Sequence, residues 1–131
     1  MRKNVILIVD DDMDDREIIR DAFLSIDDAN EFIFLENGDS LLEYLAAKNK
    51  SLPDLIMLDL NMPGKDGREA LKEIKKDAEF NTIPTIVFTT SSSQRDRDTS
   101  YKLGANCFVT KPDTFNKLVD LAGSIKKLWL P

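Results

Sequence analysis

Five short apolar runs partition the chain: Val5–Val9, Phe32–Leu35, Leu55–Leu58, Thr85–Phe88 and Cys107–Val109. They are rich in β-branched and aromatic residues and too short for helices, and each is followed by a longer amphipathic stretch. Runs that are apolar throughout, rather than alternating, suit strands covered on both faces, as in a parallel sheet. The pattern predicts helices over Asp14–Ile26, Ser40–Lys48, Gly67–Ala78, Arg95–Leu103 and Thr114–Trp129. Five βα units in series predict an α/β fold, a doubly wound five-stranded parallel sheet in the order 2-1-3-4-5.

Local signals agree with these boundaries. Ser40 with Glu43 reads as a capping box, Ser93 with Asp96 as a weaker one, and Thr114 opens the last helix. Asn37-Gly38, Pro63-Gly64 and Asp66-Gly67 mark turns. At 131 residues the chain fits a single domain, 1–131, with no room for an attached effector domain. A net charge of −6 disfavours nucleic acid, since proteins that neutralise phosphates run basic. No apolar stretch reaches membrane-spanning length. The lone Cys107 can form no internal disulfide, which fits a reducing cytoplasm.

In a sheet of this order the C-terminal ends of the strands face one crevice. The residues delivered there are Asp10, Asp11 and Asp12; Asp59 with Asn61; Thr89 and Thr90; and Lys111. Clustered carboxylates repel unless a cation or proton holds them together. With no histidine in the chain, the ligand set is all oxygen and suits Mg2+, with Mn2+ or Ca2+ as alternatives. Chemically this is a carboxylate nucleophile, a divalent-cation site, a hydroxyl donor and an ammonium, the parts needed to accept a phosphoryl group on aspartate.

These residues resemble the receiver domain of two-component response regulators. The resemblance rests on Ile8-Val9-Asp10-Asp11, on Leu58-Asp59-Leu60-Asn61-Met62-Pro63-Gly64, on Phe88-Thr89-Thr90-Ser91 and on Phe108-Val109-Thr110-Lys111-Pro112, and it runs over essentially the whole chain. It implies a flavodoxin-like sandwich, Asp59 as phosphoacceptor, and Mg2+ held by Asp11, Asp59 and the Asn61 carbonyl, with Asp10 acting largely through water. It also picks Thr89 over Thr90 and pairs it with Lys111 at the phosphoryl group. Thr89 and Phe108 would form the switch, the ring turning inward as Thr89 moves. Lys111-Pro112 would be a cis peptide. The implied partners are a histidine kinase or phosphotransfer protein and a downstream protein whose identity the sequence does not give. The Thr89-Thr90-Ser91-Ser92 run and the segment Lys75 to Pro84 look like the stand-alone branch paired with bacterial phytochromes.

Other residues carry plainer expectations. Asp12 reads as a helix cap, and Asp14, Asp15, Asp27 and Asp28 as helix-terminus and surface charges. Ile18 and Ile19 are adjacent, so one can stay exposed; by resemblance Ile18 is a docking position for the phosphodonor. Leu118, Leu121, Ile125 and Leu128 form a helical stripe, and Trp129-Leu130 an apolar tail that would suit a homodimer or partner contact. Two alternatives stand beside the switch: a folded pseudo-receiver that is never phosphorylated, and an aspartate-nucleophile phosphatase. The second lacks a general acid, because Asn61 stands two residues after Asp59. A flavodoxin-type cofactor site is disfavoured by the three acids after the first strand.

Overall fold

The computed structural model describes residues 3–26, 29–47, 51–64 and 66–130. The chain alternates β1 (Asn4–Val9), α1 (Met13–Leu24), β2 (Asn30–Leu35), α2 (Gly38–Ala46), β3 (Leu55–Leu58), α3 (Gly67–Lys76), β4 (Thr85–Thr89), α4 (Gln94–Lys102), β5 (Cys107–Thr110) and α5 (Phe115–Trp129). All five strands pair in parallel, in the order β2-β1-β3-β4-β5. This is the fold class the periodicity predicts.

Strand alternation sends successive side chains to opposite faces. Ile6 and Ile8 pack with Ile19 and Phe23 of α1 and with Leu118 and Ile125 of α5. Leu7 and Val9 pack with Leu41 of α2 and Leu71 and Ile74 of α3 on the other side. β3 and β4 are buried along their whole length, whereas β2 and β5 are only partly covered, as edge strands should be.

Each helix opens on a polar cap that satisfies free backbone donors. Asp12 accepts from the Asp14 and Asp15 amides, Asp66 from Arg68 and Glu69, Ser93 from Asp96 and Thr114 from Lys117. Helix ends differ from expectation by one or two residues, and at two of them a side chain gives the reason. α2 starts at Gly38, because Asn37 takes the capping role and accepts from the Ser40 amide at 2.8 Å, so Ser40 lies inside the helix. α3 ends at Lys76 rather than Ala78, since the Asp77 carboxylate turns to the Glu79 and Phe80 amides. The expectations for Asp27, Asp28 and Lys48 lie outside the described residues.

The C-terminal tail also departs from its expectation. Leu128 is 74% exposed, while Leu130 is only 9% exposed and joins the α1–α5 core. Leu130 leaves helical geometry, with ψ at 138°, so the helical stripe no longer governs where it points. At the opposite end of the sheet, the Lys75 ammonium donates to the Ile83 carbonyl at 2.8 Å, the Asn81 carbonyl at 3.2 Å and Asn106 Oδ1 at 2.9 Å. It ties α3 to the starts of β4 and β5, and its burial lowers its pKa.

Gly67 fixes where α3 meets the strand-end loop. A Cβ there would lie 2.0 Å from the Asp59 carbonyl oxygen and 2.8 Å from the Leu60 Cα. Both are backbone atoms that cannot step aside. Gly67→Ala should therefore lower stability by about 1–3 kcal/mol, the range for overpacking, read as a lower urea midpoint with unchanged slope.

Candidate functional site

The site is built by register. Val9 pairs with Leu58, so the next residues, Asp10 and Asp59, emerge side by side where the strand order reverses. The Asp59 amide donates to the Val9 carbonyl at 3.0 Å, and the Asp10 amide to the Leu35 carbonyl at 3.0 Å. Thr89 pairs with Thr110, which brings Lys111 to the same rim, its amide donating to the Thr89 carbonyl at 2.7 Å.

Carboxylate oxygens of Asp10, Asp11 and Asp59 all lie within 4.8 Å of one another, Asp10 and Asp59 buried and Asp11 exposed. Asp10 is already heavily engaged: Oδ1 accepts from the Asp12 amide at 2.9 Å and Oδ2 from Lys111 Nζ at 2.7 Å. Arg16 supports it from behind, donating to the Asp10 carbonyl at 2.7 Å. Asn61 stands in the turn after Asp59, its amide 3.4 Å from Asp59 Oδ1. The donor set is oxygen only and carries three acids, so it fits a hard divalent cation.

The Lys111 ammonium is the hub of the pocket. Besides Asp10 it meets Asp15 at 2.9 Å and Asp59 at 3.4 Å, with 13% of its side chain exposed. Burial alone would lower its pKa, but hydrogen bonds to Asp10 and Asp15 and the charge of Asp59 raise it. Asp10 is raised too, by burial first and by Asp59, against the pull of Lys111 and the Asp12 amide. Both shifts run toward holding protons, that of Asp10 chiefly through burial and that of Lys111 through its acidic neighbours. Asp15 belongs to the site although the sequence suggested a helix-end charge. Lys111 is 96 positions away, and no local pattern marks the pair.

Thr89 is fully buried and Thr90 exposed, which settles which of the two faces inward. The Thr89 hydroxyl accepts from the Ser91 amide at 3.4 Å, and among the described residues no hydrogen bond joins it to Asp59 or Lys111. Phe108 is already inside, 4% exposed, with the Arg97 guanidinium carbon 4.9 Å from its ring centre and its amide donating to the Tyr101 hydroxyl at 3.1 Å. The ring therefore starts from the inward position that was expected only after a switch. The Lys111-Pro112 peptide is trans, not cis. Trans is the intrinsically favoured isomer of an X–Pro bond, and here it coexists with a Lys111 that reaches Asp10.

Side-chain bonds tie down the segment after β4. Asp96 accepts from the Ser91 hydroxyl at 2.6 Å and from Arg68 Nη2 at 2.8 Å. These two bonds hold its carboxyl below the usual range. Thr110 donates to the Ser91 carbonyl at 2.8 Å. On the other side of the sheet, a cavity of about 250 Å³ lies between α1 and α5. Ile18, Phe88, Pro112, Phe115 and Leu118 line it, with Asp15 and Lys111 at its polar end. Ile18 is 44% exposed and Ile19 buried, the split that helical geometry demands.

Comparison with known proteins agrees with this geometry. The family model of the response regulator receiver domain matches residues 6–122. Response regulator Rcp1 of Synechocystis is 36% identical over 130 residues, covering 96% of this chain and 88% of its own. The probable methanogenesis regulatory protein FilR2 of Methanothrix harundinacea is 33% identical, covering 96% of this chain and 83% of its own. The phosphorylated cyanobacterial phytochrome response regulator RcpA superposes with a TM-score of 0.90 at 36% identity, covering 98% of this chain and 94% of that one. The Mn2+-bound form of Rcp1 follows at 0.85 and 36%, covering 97% and 94%.

A divalent cation bound by the three acids should stabilise the fold, by about 2.7 kcal/mol at a hundredfold excess over its dissociation constant. The gain should shrink as pH falls. Because the Asp10 pKa is raised, protons compete for the site at a pH above the ordinary aspartate value of 3.8. Thermal midpoints with and without Mg2+, from pH 4 to 8, check both points.

Proposed function

This chain belongs to the response regulator receiver domain family, whose members serve phosphorylation-based two-component signalling, and on that premise we propose that Asp59 is its phosphoacceptor. The observation that carries this reading is the placement of the acids Asp10 and Asp11 and the ammonium of Lys111 around one buried carboxylate. An Asp59 oxygen attacks phosphorus in line. The bond from phosphorus to the donor breaks and its electron pair leaves with the donor group, which is acetate from acetyl phosphate or imidazole from a phosphohistidine. Lys111 supplies positive charge to the phosphoryl oxygens, and Thr89, at the neighbouring strand end, offers a hydroxyl donor. Mg2+ or Mn2+ held by Asp10, Asp11, Asp59 and the Asn61 carbonyl would neutralise the remaining charge when bound; that Rcp1 takes a Mn2+-bound form supports a divalent cation here.

The donor in this reading is a histidine kinase or phosphotransfer protein, and a downstream protein receives the signal through surface contact. Thr89 and Phe108 would couple the pocket to that surface as a population shift between two packings. Phe108 sits under Arg97 and beside Tyr101, so any movement of the ring reaches the exposed face of α4. The module would work as a single domain in the cytoplasm, with its own activity limited to accepting and slowly releasing phosphate. No described helix is long and apolar enough to cross a membrane. Likeness to RcpA and to the bacteriophytochrome response regulator RtBRR, 32% identical over 93% of this chain, points to a photoreceptor kinase as donor.

Incubation with acetyl phosphate and Mg2+ should add one phosphoryl mass to the intact protein, and Asp59→Asn should abolish it. No adduct on folded wild type would favour the pseudo-receiver. The exposed Ile18 beside the α1–α5 groove makes a second test. Ile18→Ala should slow transfer from a protein donor by roughly tenfold, the scale of one interface contact, yet leave reaction with acetyl phosphate unchanged. Equal loss from both donors would remove the docking role.

A further inference from the structure

We propose that Asp15 is a positioning residue for phosphoryl acceptance: it draws the Lys111 ammonium toward α1, so that an arriving phosphoryl group must compete for it. The proposal rests on Asp59 being the acceptor. Three carboxylates share Lys111, and they do so unequally, with Asp10 at 2.7 Å, Asp15 at 2.9 Å and Asp59 at 3.4 Å. The short contacts lie on the α1 side, and the long one is to the acceptor itself.

Strand parity sends all three groups to one layer. Lys111 follows β5 in phase with Val109, Asp10 follows β1 in phase with Ile8, and Asp59 follows β3 in phase with Met57; Val109, Ile8 and Met57 all belong to the α1–α5 layer. The ammonium therefore enters the pocket from the side where Asp15 stands on the first turn of α1. Asp10 is buried and anchored by the Asp12 amide, so it cannot release the ammonium by moving. Asp15, with 38% of its side chain exposed, can swing into solvent. Of the two short partners, it is the one whose hold can be exchanged for a phosphoryl oxygen. Neighbouring Asp14 carries the same charge but points to solvent and makes no ion pair with Lys111, which separates a specific hold from the general field.

Beryllofluoride, a non-covalent phosphoryl mimic, reads this competition at equilibrium. Its affinity in the presence of Mg2+ would be measured by calorimetry for wild type, Asp15→Asn, Asp15→Glu and Asp14→Asn. Asp15→Asn should tighten binding roughly fivefold, the upper scale of a partly exposed ion pair. Asp15→Glu, which keeps the charge, should return the affinity to near wild type, and Asp14→Asn should leave it unchanged. Unchanged or weaker binding by Asp15→Asn, with wild type binding normally, overturns the proposal alone. An equal gain in Asp14→Asn also overturns it, because the effect would then be bulk charge. Wild type that binds no mimic and takes no phosphoryl adduct overturns the acceptor reading, and this proposal with it.

Discussion

One ammonium set among four carboxylates governs the whole upper rim of this molecule. Lys111 meets Asp10, Asp15 and Asp59, and Asp11 stands close by. In a half-buried setting such an excess of negative charge is unfavourable: burial above all raises the pKa of Asp10, and the acids around Lys111 raise its pKa against its own burial. The sheet beneath must therefore be stiff enough to hold the acids together. It is, with β3 and β4 buried throughout and cores packed on both faces. A cation or a phosphoryl group then arrives in a site shaped beforehand rather than one it must organise, the condition for charge stabilisation in a preformed pocket.

Much of this was legible from the amino-acid order. The apolar runs located every strand, and their C-terminal ends predicted where Asp10, Asp59 and Lys111 would meet. This works because a parallel sheet converts sequence position at strand ends directly into spatial position. Asp12, Ser93 and Thr114 were readable as caps for a related reason, since capping is a bond between residues two or three apart.

The misreadings share a cause: competition that sequence cannot rank. Asn37 and Ser40 are both good caps three positions apart, and Asn37 takes the role. Leu128 and Leu130 exchanged their expected exposures because the backbone leaves helical phase between them. Asp15 looked like one more surface acid near a helix start, since nothing local announces a lysine from the other end of the chain. The inward Phe108 and the trans Lys111-Pro112 bond are states of a fold that sequence does not choose between.

The bridge from Arg68 through Asp96 to the Ser91 hydroxyl, and from the Ser91 carbonyl on to Thr110, joins α3, α4, the loop after β4 and the end of β5. Loops around a pocket usually drift independently over generations, because each folds against its own strand. Here replacing Arg68 would leave Asp96 with the Ser91 hydroxyl alone, and replacing Ser91 would leave Asp96 with Arg68 alone. Substitutions at these positions should therefore be inherited together, so that divergence on one rim of the pocket carries its neighbours with it.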